Sequence, residues 1–183
     1  MTRAVFLDRD GTLIEDVDYL RRQEQLVLLP WTVDAVRLLN RAGFVTVVVT
    51  NQSAVARGMV SEEFVRETHR ALAAHLAAGG ARIDAYYFCP HHPEAAVEQY
   101  RRVCRCRKPG PGMIEQAAAE LGVDPSRSWM VGNRWLDVDT GRNAGTRSIF
   151  VGSEDAERGA GADAILNNLM EAVGWILRAS TSR

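Results

Sequence analysis

The sequence predicts an α/β fold, a three-layer doubly wound parallel sheet, and three observations point to it. Short apolar, β-branched runs alternate with stretches of helical period from end to end of the chain. The first run, Val5-Phe6-Leu7, is too short for a helix and apolar throughout, as a strand covered on both faces should be. It leads straight into two carboxylates, Asp8 and Asp10, at the strand end where such sheets form their ligand crevice. Gly11 then frees the backbone to turn.

The remaining elements follow in order. Asp18 to Gln25 is a polar connection, and Leu26 to Leu29 a short extended piece before Pro30. From Trp31, with Thr32 as a candidate helix-start residue, Val33, Val36, Leu38 and Leu39 recur at helical spacing until Gly43 stops the pattern. Phe44 to Val49, rich in β-branched residues, is the second strand. Ser61 opens a long Ala-rich helix that runs to Ala78 and closes at Gly79-Gly80. Asp84 to Phe88 reads as a third strand, ending at Cys89. Gly112 to Leu121 is helical, Ser128 to Val131 a fourth strand, Leu136 to Ala144 a helix and Arg147 to Val151 a fifth strand. Leu166 to Arg178 reads as a closing helix, with a frayed tail from Ala179 to Arg183. Pro90 to Pro109 shows no period, and a loop of about twenty residues inside a compact domain is uncommon unless it is functional.

At 183 residues the chain is expected to form one domain spanning 1–183, with the loop 89–109 as its distinctive insertion. A net charge of -1 gives no electrostatic case for nucleic acid or an anionic membrane as partner. No apolar run approaches the roughly 18 residues of a membrane span, and no basic segment and apolar stretch open the chain as a secretion signal. A cytoplasmic monomer is the default expectation. The three cysteines, Cys89, Cys104 and Cys106, suit a metal site better than a disulfide framework.

Each strand end carries polar groups that can do chemistry. The second strand runs into Thr50-Asn51-Gln52-Ser53, whose hydroxyl and amides can donate to an anionic oxygen such as that of a phosphoryl group. Arg57-Gly58 adds a flexible corner with one positive charge. Arg107 and Lys108 follow the cysteine pair, and an ammonium brought to the crevice would balance a carboxylate and a phosphate while a guanidinium grips phosphate oxygens. The fourth strand ends in Gly132-Asn133-Arg134, with Asp137 one helical turn beyond Asn133. Asp137 is placed to neutralise a cation or Lys108, or simply to favour a helix start.

Together, Asp8-Arg9-Asp10-Gly11-Thr12, Thr50, Lys108 and the acidic residue beyond Gly132 resemble the haloacid dehalogenase-like phosphohydrolases, over Val5 to about Val151. The resemblance implies a Rossmann-like fold and a Mg²⁺-dependent phosphomonoesterase. Asp8 would attack phosphorus, Asp10 would serve as acid and then base, and Thr50 and Lys108 would hold the phosphoryl oxygens. Mg²⁺ would be bound by the Asp8 carboxylate, the Asp10 backbone carbonyl and the residue at 133.

The loop narrows the resemblance. Cys89-Pro90-His91 and Cys104-Arg105-Cys106 form two ligand pairs with twelve residues between them, and three sulfurs with one imidazole make a closed, structural zinc site. His92 is left out of that set; it is expected to be solvated, with a place facing substrate as the alternative. This arrangement is similar to the branch that holds the heptose 1,7-bisphosphate and histidinol-phosphate phosphatases, nearer the former. It implies contacts from Arg107 and Lys108 to phosphate or sugar, and places Arg134 where that family often has Lys. The chain leaves no room for a cap domain, so the zinc loop and the segment from Asp16 to Gln25 are expected to shape the pocket.

The departure is Asn133, where the family carries an Asp. It offers a carbonyl oxygen to the metal but one charge fewer. The sequence therefore carries a leading reading, a phosphatase removing the 7-phosphate of a heptose 1,7-bisphosphate in nucleotide-activated heptose biosynthesis. Beside it stand a phosphatase for histidinol phosphate or another small phosphomonoester, and a phosphosugar-binding protein whose hydrolysis is impaired at Asn133.

Overall fold

The computed structural model describes residues 2–152 and 161–181. Six parallel strands form one sheet in the order β3-β2-β1-β4-β5-β6: β1 Ala4–Leu7, β2 Val45–Asn51, β3 Ala85–Cys89, β4 Trp129–Gly132, β5 Arg147–Val151 and β6 Ala164–Leu166. The central strand, β1, pairs Leu7 with Val48 on one side and with Val131 on the other. The strand order reverses on either side of β1, so its carboxyl end opens into the crevice that ligands occupy in sheets of this topology.

Both sheet faces are covered, as the unbroken apolar run of β1 requires. Val5 and Leu7 face a core built with Val36, Leu39, Leu72, Leu76, Val173 and Ile176, which come from helices α1 (Thr32–Arg41), α3 (Glu62–Ala78) and α6 (Leu169–Thr181). Ala4 and Phe6 point the other way, onto Met113, Ile114 and Ala117 of α4 (Gly112–Leu121). α5 (Trp135–Ala144) packs on β4 and β5. Burial of about 1.5–3 kcal/mol per large apolar side chain on both faces is what fixes the strand in place.

The expected helices and strands form with boundary shifts, the extended piece expected from Leu26 to Leu29 is reduced to a single bridge from Leu28 to Ile14, and one further α-helix and one further strand were not anticipated. A single turn, α2 (Ser53–Ala56), follows β2 and is too short to leave a period in the sequence. The closing helix begins at Leu169 rather than Leu166, because Ala164–Leu166 is the edge strand β6, with Leu166 paired to Val151. Asn168 accepts the Glu171 N–H through Oδ1 at 3.0 Å and so starts the helix where the strand has ended. The expected frayed tail is helical through Thr181, and its last two residues lie outside those described. The 90–109 loop contains one turn of 3-10 helix, Glu98–Tyr100. No separate cap is seen among the described residues, and none of their helices is long and apolar enough to cross a membrane.

Candidate active site

Asp8 leaves the end of β1 and meets Lys108, which the segment before α4 delivers from the far side of the crevice. Lys108 Nζ donates to Asp8 Oδ1 at 2.6 Å, to Asp137 Oδ1 at 2.5 Å and to the Val49 carbonyl at 3.2 Å. All three charged residues are 5% exposed or less. Burial, with the Asp137 charge beside it, pushes the Asp8 carboxyl up to about 7 against the pull of Lys108. Burial works against the Lys108 ammonium too, but Asp137 and Asp8 outweigh it and hold the group above the ordinary lysine value.

Asp137 fills both roles the sequence left open. Its Oδ1 takes Lys108, and its Oδ2 accepts the Arg134 N–H at 3.0 Å at the start of α5. Gly132 makes this approach possible, since a Cβ there would fall 2.2 Å from Asp137 Cγ.

Two residues expected to reach a phosphate are committed elsewhere. Asn51 accepts the Lys108 N–H at 3.0 Å and donates to the Lys108 carbonyl at 3.2 Å, so it fixes the backbone that presents the ammonium. Gln52 donates through Nε2 to Asp10 Oδ2 at 3.1 Å and to Thr50 Oγ1 at 2.9 Å, which uses both amide hydrogens. Its carbonyl accepts from Arg9 at 3.0 Å. Spacing alone put both amides at the strand end but could not say which way each would turn.

The cleft above these groups is lined by Thr50 and Ser53, and by Asp16, Asp18 and Tyr19 of the connecting segment, with Arg57, His92, Arg107 and Arg134 around it. The 89–109 loop and the 16–25 segment thus both contribute to its walls. Arg107 donates to Ser53 Oγ at 2.9 Å and to the His91 carbonyl at 3.0 Å, tying the cysteine loop to α2. The Arg57 guanidinium lies 5.6 Å from the Tyr19 ring centre. Arg134 pairs with Asp16 at 2.6 Å. Arg57 and His92, given little weight from the sequence, belong to this wall; Arg9, between the two aspartates, was given none.

Asn133 is not among the residues that line the cleft. Its Oδ1 is buried and has no hydrogen-bond partner, and its side chain occupies the space a Cβ on Gly11 would need, 2.1 Å from Asn133 Nδ2. Gly11 has φ +79°, so this close approach and the turn both call for glycine. An orphaned amide oxygen just beyond the end of β4, the strand that pairs with the one carrying Asp8, suits a hard divalent cation that takes oxygen ligands.

A second cluster stands in the 89–109 loop. The ligand atoms of Cys89, His91, Cys104 and Cys106 lie within 4.8 Å of one another and could hold a metal ion. His91 Nδ1 faces Cys106 Sγ at 3.4 Å, Cys89 and Cys104 are 3.5 Å apart, and all three cysteines are free thiols. Sulfurs around one zinc, each about 2.3 Å from it, would stand at comparable separations. His92 turns away, its Nδ1 accepting the Glu94 N–H at 3.1 Å.

The HAD-hydrolase-like family matches residues 105–172. The chain is 44% identical over 154 residues to the D-glycero-beta-D-manno-heptose-1,7-bisphosphate 7-phosphatase of Rhodopseudomonas palustris, covering 84% of this chain and 86% of that one. This chain belongs to the haloacid dehalogenase-like hydrolases. The Yersinia pestis protein of the same name is 40% identical across 92% of each chain. Among solved structures, the D,D-heptose 1,7-bisphosphate phosphatase of B. bronchiseptica, complexed with magnesium and phosphate, superposes with a TM-score of 0.84. Identity to it is 26%, and the match covers 97% of this chain and 99% of that one. As a haloacid dehalogenase-like enzyme the chain is a phosphatase, and the reading as a binding protein impaired at Asn133 finds no support, since these relatives carry phosphatase names.

Proposed function

We propose that the chain removes the 7-phosphate from a heptose 1,7-bisphosphate, a step in the making of nucleotide-activated heptose. The carrying observation is the Lys108 ammonium held between Asp8 and Asp137 at the floor of a cleft with Arg57, Arg107 and Arg134 on its walls. The floor has the groups to work on one phosphate, while the guanidinium-bearing walls suit a second anionic group on the same molecule. The names of the relatives agree with this substrate.

In the proposed reaction an Asp8 oxygen attacks phosphorus as the bond to the sugar oxygen breaks, and the Asp10 proton passes to that departing oxygen. Thr50 Oγ1 and Lys108 Nζ hold the equatorial oxygens. Asp10, now a carboxylate, takes a proton from water as the water oxygen attacks the aspartyl phosphate, releasing inorganic phosphate and Asp8. The Asp8 carboxylate, the Asp10 backbone carbonyl and Asn133 Oδ1 would hold Mg²⁺, which supplies positive charge between the anionic nucleophile and the anionic substrate. Cys89, His91, Cys104 and Cys106 would hold zinc, which stiffens the loop that carries Arg107 and Lys108.

The test is inorganic phosphate release with Mg²⁺ from heptose 1,7-bisphosphate and from histidinol phosphate, with Asp8→Asn as control. Higher kcat/KM for the heptose ester supports the reading. A preference for histidinol phosphate replaces it.

A further inference from the structure

Arg9 stands between the two aspartates and is absent from the roles above, yet it is among the largest fully buried side chains, 2% exposed. A guanidinium in that state persists only if its donors are met. Nε donates to Asp10 Oδ2 at 3.1 Å and Nη2 to Asp10 Oδ1 at 3.0 Å, a two-pronged grip on one carboxylate by its chain neighbour. Nη2 also donates to Gln52 Oε1 at 3.0 Å, and Nη1 faces His69 Nε2 at 3.5 Å. Gln52 closes the loop by donating to the same Asp10 Oδ2.

His69 is suited to its place. It is stacked on Tyr86 with centroids 5.0 Å apart and meets the Phe88 ring edge-on at 5.9 Å. Burial, with the Arg9 charge beside it, lowers its pKa to about 3, so the ring is neutral and Nε2 can offer Arg9 a lone pair. α3 and β3 thus form a wall behind the guanidinium, and the guanidinium in turn locks the Asp10 carboxyl against rotation.

We propose that Arg9 is a positioning residue for proton transfer: braced by Gln52 and His69, it holds both Asp10 oxygens and aims the carboxyl at the departing oxygen of the ester. This rests on the reading of Asp10 as the proton donor. The effect belongs to the step in which the oxygen–phosphorus bond breaks and the leaving oxygen gains a proton. A sugar alkoxide needs that proton; p-nitrophenolate leaves without it.

The experiment compares kcat/KM for a sugar phosphate and for p-nitrophenyl phosphate in wild type, Asp10→Asn, Arg9→Gln, Arg9→Lys and Gln52→Ala. Positioned general acids contribute about 10²- to 10⁴-fold. Arg9→Gln is expected to lose on the order of 10²-fold with the sugar ester and under about tenfold with the aryl ester, the pattern of Asp10→Asn in milder form. Arg9→Lys, which restores charge but not the fork, recovers part of the loss, and Gln52→Ala shows the same selectivity with a smaller drop. If Arg9→Gln fails to fold, the ratio in Gln52→Ala decides. Equal losses on both esters, or none, overturn the proposal. An Asp10→Asn enzyme that loses both esters equally, or neither, overturns instead the reading of Asp10 on which the proposal rests.

Discussion

Lys108 Nζ lies 2.6 Å from Asp8 Oδ1, an ammonium and a carboxylate brought together from residues far apart in the chain and shut away from water. The contact orients the nucleophile and leaves an ammonium facing the place where phosphoryl oxygens would sit. Replacing Lys108 by Met leaves Asp8 and Asp137 buried with no cation between them. Breaking such a pair costs about 3–5 kcal/mol, so Lys108→Met is expected to lower the urea midpoint sharply. Its phosphatase activity should fall by more than about 10²-fold, the scale of losing one preorganised group that stabilises transition-state charge. An unchanged midpoint would mean the pair is not formed in solution.

Asn133 Oδ1, buried and unpartnered, is the proposed ligand with the weakest claim on a dication. Asn133→Asp adds a carboxylate at the same end of the sheet as Asp8, whose carboxyl is already pushed up to about 7 by burial and by Asp137. The variant should melt lower than wild type without Mg²⁺ and gain more on its addition, with tighter binding by calorimetry. Identical Mg²⁺ affinity in the two proteins would remove position 133 from the metal site.

His69 gives a pH dependence that can be signed. Its pKa is lowered to about 3 by burial and by Arg9, whereas the unfolded chain takes up the proton near the ordinary value of 6.5. The stability this neutral ring contributes is whole above pH 6.5 and is lost as pH falls from there toward 3. By about pH 5 the loss is about 2 kcal/mol. Urea unfolding of wild type and His69→Gln from pH 8 to 5 should show the wild type losing that much more; parallel curves would refute a neutral buried ring.

Cys104 and Cys106 test the loop. One zinc per chain is expected on metal analysis of purified protein, and Cys104→Ser or a strong chelator should remove it and lower the melting temperature. Because Arg107 ties this loop to Ser53, activity should fall along with the zinc. A stable, metal-free protein of full activity would contradict the structural role.

Much of this was legible in the sequence. Val5-Phe6-Leu7 running into Asp8 and Asp10 announced a buried central strand with chemistry at its end, and three Cys and one His in two spaced pairs announced a metal loop. Other features were not legible, for physical reasons. β6 has three residues and one partner strand, too little to leave an alternation. Asn51 and Gln52 have side chains whose donors can turn either way, and only the arrival of Lys108 and Arg9 decides the direction. Arg9 itself drew no role from the sequence. Nothing local marks a cation as buried when its cover, His69 and Gln52, comes from other elements.

The central claim is that Asp8 carries the phosphoryl group during turnover. Acid quench of a single turnover with sugar phosphate and Mg²⁺, followed by borohydride reduction and peptide mass spectrometry, tests it directly. Homoserine at position 8 in wild type, absent without substrate, is the result expected. A reduced residue anywhere else, or phosphate release with position 8 never modified, would contradict the account.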